Sequence, residues 1–533
     1  MNKLFLGIIL KKLSLLYNTI RHLKPIQIRY YVFYFIRRKL GRNPKVKKHR
    51  TVFNGSCQRL HLLTSISNPT SYSPPQTFEF LNLKHTFQKG IDWDFSEYGR
   101  LWTYNLNYFE FLLQKDILRE DGVKLIDEFI DSIGCNSTGF EPYPLSLRII
   151  NWIKFIIYYQ INEEKYKNIL WSQVQLLTKQ KEYHLLGNHL LENGFALLFG
   201  AYYFNDVSIY RQAKNILMKE LDEQILDDGA HFELSPMYHS LMTYRVMDCY
   251  NLIIYNPLFD QELKSFFKNK AESMLSYSHK ISYRNGHMPL MNDAAYGVAP
   301  LDSDLFLYAS SLGLTIHETK LSQSGYRKLT NDVFELCFDV GEVGPSYQPG
   351  HVHADTLSFE LYIHNRPVIV DTGASTYEVN ETRFYERSTC AHNTVSINRE
   401  NSSQVWAGHR VGERANTKII EDNDSCIIAS HDGYFKRFGS YHRRGIRLSE
   451  SEIIIEDNVT KCEAIAQFHF HPEEDIEIFG IDVRGKDFIM MFENAISIKL
   501  KTSHYSPKFN VRIGNKSLEV TFRDNLTTCI QLR

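Results

Sequence analysis

At 533 residues the chain exceeds what one hydrophobic core usually serves, so two large domains plus a terminal extension are expected. Hydrophobic residues at 43% and aromatics at 13% place it among globular proteins, and eight cysteines without a CxxC pair argue against a thiolate zinc site or a dithiol redox centre. The formal net charge of zero conceals an asymmetry, because residues 1–50 hold 14 Lys and Arg with no Asp or Glu, which leaves −14 on the other 483.

In chain order, the basic and apolar stretches Leu4 to Leu16 and Tyr30 to Ile36 suit the anionic surface of a membrane. The run Leu4 to Leu10 is too short to span a bilayer, Lys11 and Lys12 interrupt it, and no small-residue cleavage site follows. Residues 1–78 are therefore expected to be a basic extension and linker, making peripheral membrane contact as an uncleaved anchor, with a docking extension as the other reading. Nucleic-acid binding rests on this terminus alone and is not expected. The expected location is the cell envelope, periplasmic or membrane-associated, with the cytoplasmic face of the membrane as the alternative. Residues 79–325 carry helical spacing, as in Leu147, Ile150, Ile153 and Ile157, and should be an array of packed helices. Gln323-Ser324-Gly325 breaks the pattern. From residue 326 to 533 short alternating or β-branched runs between Asn, Asp and Gly turns predict mainly antiparallel sheet.

Three segments concentrate polar chemistry. Gly187-Asn188-His189-Leu190-Leu191-Glu192 opens a helix, where Asn188 and His189 either face an anion at the helix N-terminus or serve as a cap and a surface pair with Glu192. Ser235 as N-cap and Pro236 at the first helical position start another helix, placing Tyr238 and His239 in its first turn. A tyrosine there acts as acid or base only if its phenol sits near charge; most simply pack. The third segment, His351-Val352-His353-Ala354-Asp355 followed by Asp371 and His392, gathers three imidazoles and two carboxylates within 42 residues. The alternation from Thr356 to Ile363 reads as a strand, so that His351 and His353 share one face and either bind a metal with Asp371 and His392 or are polar residues at a sheet edge.

Together these motifs, with Leu101 to Phe109, Pro142 to Arg148, Pro289-Leu290-Met291-Asn292-Asp293 and Arg387 to Thr394, resemble the heparinase II/III-like family of polysaccharide lyases, which includes alginate lyases. The resemblance implies a multidomain α+β chain, an N-terminal incomplete (α/α) toroid followed by a C-terminal antiparallel β-sandwich, with a cleft for an anionic polysaccharide between them. It implies β-elimination on a uronic-acid polymer. Tyr238 would protonate the leaving O4, either Tyr238 or His351 would remove the C5 proton, and Asn188 and His189 would hold the uronate carboxylate. Glu192, His239 and Arg387 would contact substrate. His353, Asp371 and His392 would coordinate one zinc ion, mainly structural. The basic terminus fits relatives in capsule or exopolysaccharide metabolism. The alternatives are a catalytically silent glycan-binding protein and a uronate epimerase; the polymer, the endo or exo mode and the oligomeric state are left open.

Overall fold

The computed structural model describes residues 3–44 and 52–533, without the side chains of residues 3–11, so the side chains of the Leu4 to Leu10 run and the basic segment 45–51 lie outside the described residues. Two helices, α1 (Lys3–Ile20) and α2 (Pro25–Lys39), come first. An irregular segment then leads into a small antiparallel sheet of β1 (Tyr72–Ser73), β2 (Thr77–Phe80) and β3 (Leu83–Thr86), whose Phe78 and Phe80 pack with Trp102 and Phe111 into the helical core. Strands this short lie below what period-2 patterning resolves, so the sequence predicts only linker and the start of the helical half there.

Nine helices form the toroid: α3 (Arg100–Tyr108), α4 (Arg119–Asp131), α5 (Pro142–Tyr158), α6 (Glu164–Thr178), α7 (Gly187–Phe204), α8 (Val207–Gln224), α9 (Pro236–Tyr255), α10 (Glu262–Ile281) and α11 (Asp302–Ser311). Their starts follow from local chemistry. Pro142 opens α5, the Asp206 carboxylate accepts from Ile209 N at 2.8 Å to cap α8, and the Ser235 hydroxyl accepts from Tyr238 N to cap α9 ahead of Pro236. α7 is buried along almost its whole length, so it is the toroid's inner post, and its first turn carries the buried Asn188 and the partly exposed His189.

The second domain is a β-sandwich. One layer is the antiparallel sheet β4 (Tyr326–Thr330), β5 (Phe334–Asp339), β6 (Phe359–Ile363) and β7 (Arg366–Ile369). Next come α12 (Glu381–Glu386), β8 (Val395–Ile397) and the two-stranded pair β9 (Val405–Trp406) and β10 (Arg410–Val411). The other layer has nine strands: β8, β11 (Thr417–Asp422), β12 (Cys426–His431), β13 (His442–Leu448), β14 (Glu452–His469), β15 (Glu477–Phe479), β16 (Asp482–Arg484), β17 (Phe488–Tyr505) and β18 (Ile513–Leu532), with a short helix α13 (Phe435–Phe438) between β12 and β13. Leu336, Phe338, Phe359 and Leu361 of the first layer share a core with Ile455, Phe468, Val520 and Ile530 of the second. Every residue of β5 and β6 is buried, because their other face meets the toroid through Cys337 and Tyr362 packed on Tyr277, Ile281 and Tyr283. That contact fixes the two domains against each other along one seam.

Candidate active site

Four segments meet at this seam: the starts of α7 and α9, the turn around Asp293, and the irregular chain that precedes β6. The strand expected from Thr356 begins only at Phe359, so His351 and His353 lie in a loop and not on one strand face. They converge by another route. The Asp293 carboxylate takes His351 Nδ1 at 3.1 Å on one oxygen and His353 Nε2 at 2.9 Å on the other. Both Nη groups of Arg383 grip the same carboxylate, with Nη2 at 2.7 Å. Backbone and side-chain bonds tie the segments together: Asp293 N donates to His351 O at 3.0 Å, the Ser235 hydroxyl donates to Asp293 O at 2.7 Å, and His353 N donates to Asn292 Oδ1 at 2.8 Å.

Leu186, Leu234 and Asn292 hold φ of 62°, 56° and 58°, the left-handed region that costs a non-glycine residue on the order of 1–3 kcal/mol. They stand immediately before Gly187, Ser235 and Asp293, so the strain gathers where three segments turn into the site. At Gly187 (φ 58°) an added Cβ would lie 2.7 Å from Glu233 Oε1, which is why only glycine lets α7 start against that carboxylate.

Glu233 connects the two domains' contributions. Its carboxylate accepts from Asn188 N at 3.0 Å and Asn188 Nδ2 at 3.1 Å, and stands 3.7 Å from His351 Nε2. Burial raises its pKa, partly offset by His351 and by the Asn188 donors. Asp293 is equally dry, but Arg383 and the two imidazoles outweigh burial and hold it well below the ordinary carboxylate range. The Tyr238 ring stacks on the His351 ring with centroids 3.8 Å apart, and its hydroxyl meets the Tyr377 hydroxyl at 3.3 Å. Burial raises the pKa of Tyr238, so the phenol carries its proton at neutral pH.

Asn188 is buried, with Oδ1 unpartnered, while the His189 side chain keeps 27% exposure and packs against the Tyr143 ring at 4.5 Å. The partner of His189 is Glu182, whose Oε1 lies 3.0 Å from Nδ1. Burial opposes the charged ring, but Glu182, with Glu233 and Glu192 behind it, raises its pKa overall. Glu192 neither orients His189 nor reaches open space: it is buried and paired with Arg245 Nε at 3.1 Å. His239 and Arg387 also take structural posts away from open space. His239 donates Nε2–H to Met274 O at 3.0 Å and accepts from His231 N at Nδ1. Arg387 gives its guanidinium to Val352 O at 3.0 and 3.1 Å, bracing the loop that carries both histidines. Asp293, Arg383, Glu233, Glu182 and Tyr377 escaped sequence reasoning as site residues, although Asp293 closes a motif that the sequence shows and Glu233 lies two residues before Ser235.

The three residues expected to hold zinc are gathered in one dry place. His353 and His392 rings lie 5.2 Å apart, both are fully buried, and His353 Nδ1 and His392 Nε2 have no hydrogen-bond partner. Asp371 Oδ2 meets His392 Nδ1 at 2.7 Å. Among the described residues no three His, Cys, Asp or Glu side chains stand together in ligand geometry. The donor types and the two orphaned nitrogens fit a zinc ion.

Comparison with known proteins gives one answer from several directions. The family models described as heparinase II/III N-terminus and heparinase II/III-like, C-terminal match residues 145–301 and 316–533. A heparin-sulfate lyase of Bacteroides stercoris is 22% identical over 349 residues, 60% of this chain and 50% of that protein. A second heparin-sulfate lyase, from Pedobacter heparinus, is 24% identical over 244 residues, 40% of this chain and 36% of that protein. The chain thus aligns with half or less of the length of these curated relatives. A crystal structure titled heparinase III superposes with a TM-score of 0.68 at 16% identity, covering 95% of this chain and 92% of the other, which shows the shared fold. With both domains matched in order along the sequence, the chain belongs to the heparinase II/III-like family.

Proposed function

We propose that this protein is a polysaccharide lyase that cleaves a uronic-acid polymer by β-elimination. The observation that carries this reading is the proton-bearing Tyr238 phenol stacked on His351, whose ring is held between the carboxylates of Asp293 and Glu233. With Nδ1–H given to Asp293, the lone pair of His351 Nε2 is the base that takes the C5 proton. The C4–C5 double bond forms as the C4–O4 bond breaks, and Tyr238 gives its proton to the departing O4. Asp293 and Glu233 stabilise the imidazolium, which then returns a proton to Tyr238. Asn188 and the charged His189 receive the uronate carboxylate, where negative charge grows as the proton α to it leaves.

Because the two rings stack, acid and base occupy one wall of the cleft. That suits uronates whose C5–H and C4–O bonds lie on the same face. The test is ultraviolet absorbance from the conjugated uronate on a panel of glucuronate- and iduronate-rich polymers, heparan and heparin sulfate among them, together with the source cell's own capsule. A signal on same-face uronates supports the reading; binding without any new double bond on every polymer overturns it. The setting that fits is capsule or exopolysaccharide metabolism at the cell envelope, supported by the basic N-terminal helices.

The charge on His189 gives a pH prediction. Its raised pKa keeps the ring cationic to higher pH than a free imidazole, and the charge is lost as pH rises through that value. In Glu182→Gln the loss begins at lower pH, so the rise in KM and the fall in kcat with pH are both expected to shift downward. An unshifted KM profile would contradict the role of the pair.

We further propose that His353, Asp371 and His392 hold one zinc ion, which would pin the loop bearing His351 to the strands behind it. Bound there, it would supply cross-linking and not a reaction step. Metal analysis of the purified chain is expected to show about one zinc per chain, lost in His392→Ala along with thermal stability. A parent chain free of zinc after growth in zinc-supplemented medium, stable and indifferent to chelator, would refute the ion.

A further inference from the structure

Among the described side chains, the fold leaves an outward face of α1 and α2 open to solvent, while the inward face is tied to the cleft-forming segments. On α2, Ile28, Tyr31, Val32, Phe35 and Ile36 follow helical i, i+3, i+4, i+7, i+8 spacing and are each 45 to 58% exposed. Water-facing helices normally show the reverse pattern. Arg29, Arg38 and Lys39 flank this stripe and are exposed too, in a segment of 50 residues without one acidic side chain. The opposite face docks: Gln27 Nε2 donates to Leu185 O at 3.2 Å and Tyr347 O at 3.3 Å, and Tyr30 stacks on Tyr183 at 4.8 Å. Thr19 of α1 donates to Val411 O at 3.2 Å and accepts from Trp406 Nε1 at 3.3 Å. Those contacts fall on the segment just before Asn188, the loop leading to His351, and the β9–β10 pair whose connecting turn carries His409 beside Tyr377.

An apolar stripe with a cationic rim matches one occupant, the interface of a bilayer containing anionic lipid: the stripe enters the acyl boundary and the rim meets the headgroups. Among the described residues no helix is long and apolar enough to cross a membrane, so the contact is along the surface. We propose that α1 and α2 form a peripheral anchor for an anionic membrane surface and hold the cleft beside it, so that the polymer processed is one at that surface. The anchor stands on its own observations and does not depend on the lyase chemistry.

The test is cosedimentation of the full chain with vesicles of phosphatidylglycerol and phosphatidylcholine, and with phosphatidylcholine alone. Binding is expected on the anionic vesicles only and should weaken as salt rises. Val32→Asp with Phe35→Asp is expected to reduce it at least roughly tenfold, and Arg38→Glu with Lys39→Glu to abolish the preference for anionic lipid. All four side chains point away from the body, so melting temperatures should equal the parent's, which separates lost binding from lost folding. Equal binding to both vesicle types, no binding by the folded parent, or a dimer that the Val32 and Phe35 changes dissociate without any vesicle binding would each overturn the proposal.

Discussion

Tyr238→Phe is expected to lower turnover on a cleaved polymer by about 10²–10⁴-fold, the usual worth of a positioned proton donor, while KM stays close to the parent value. The substitution removes one oxygen and keeps the ring. Stacking on His351 at 3.8 Å is retained, and the one hydrogen bond lost, to the Tyr377 hydroxyl at 3.3 Å, is long and only partly buried. Stability should therefore fall by no more than about 1 kcal/mol. The raised pKa of the phenol gives the prediction its direction. A group that holds its proton at neutral pH can deliver it to O4 but is a poor base, so loss of the hydroxyl removes the acid and leaves His351 in place. Steady-state kinetics beside a thermal melt would check both halves. Substantial activity in the variant would mean that O4 leaves with a proton from another source and would remove Tyr238 from the mechanism.

A larger effect on stability is expected at Arg383. Its guanidinium and the Asp293 carboxylate are both fully buried, and the pair is the hub to which His351 and His353 attach. Arg383→Met leaves Asp293 charged in a dry site with only imidazoles beside it, a loss of about 3–5 kcal/mol when one partner of a buried pair is removed. The carboxyl pKa, now held far down by Arg383, should rise in the variant. In the parent, a depressed folded pKa contributes stability that is present above the unfolded value of about 3.9 and is lost as pH falls through the folded one. The variant should therefore keep little of that contribution. Arg383→Met with Asp293→Asn should recover part of the stability, because no charge is then left unpaired, yet not the activity, because His351 loses the carboxylate that fixes its tautomer and stabilises its charged form. Melting curves of the three chains decide it. A single variant that melts with the parent would show that the pair is solvated and not the hub described here.

How far the sequence reveals such a hub depends on how local each feature is. The start of α9 was legible because Ser235 and Pro236 act on their own neighbours, and the start of α7 because Gly187 and the apolar run after it do the same. The change from helix to sheet near residue 325 was legible because period is a property of short windows. The shared carboxylate of Asp293 was not: it lies 58 and 60 residues from its two histidines and 90 from Arg383, and no spacing rule reaches across a domain seam. The strand expected through Thr356 failed for a related reason. Alternation there reflects Leu357, Phe359 and Leu361 facing the sandwich core, but Leu357 turns at φ 63° and on β5 reaches only its last residue, Asp339, while the chain before it bonds to Asp293, Asn292 and Arg387. His189 found Glu182 and not Glu192 because the loop before α7 folds back over the helix start, a tertiary event invisible to i, i+3 counting. His239 and Arg387 carried a recognised motif without touching open space, since a motif retains the residues that build a site along with those that use it.

The central claim is elimination, and the most direct measurement is mass spectrometry of products formed in heavy water from a polymer that the protein binds. The account predicts two fragments whose combined mass equals the parent chain, one of them a water lighter than a hydrolysis fragment and absorbing in the ultraviolet, formed about 10²–10⁴-fold more slowly by Tyr238→Phe. Fragments that together contain an added water would make the protein a hydrolase. An uncut chain that gains deuterium at C5 would make it an epimerase, and either result would contradict the mechanism drawn from Tyr238 and His351.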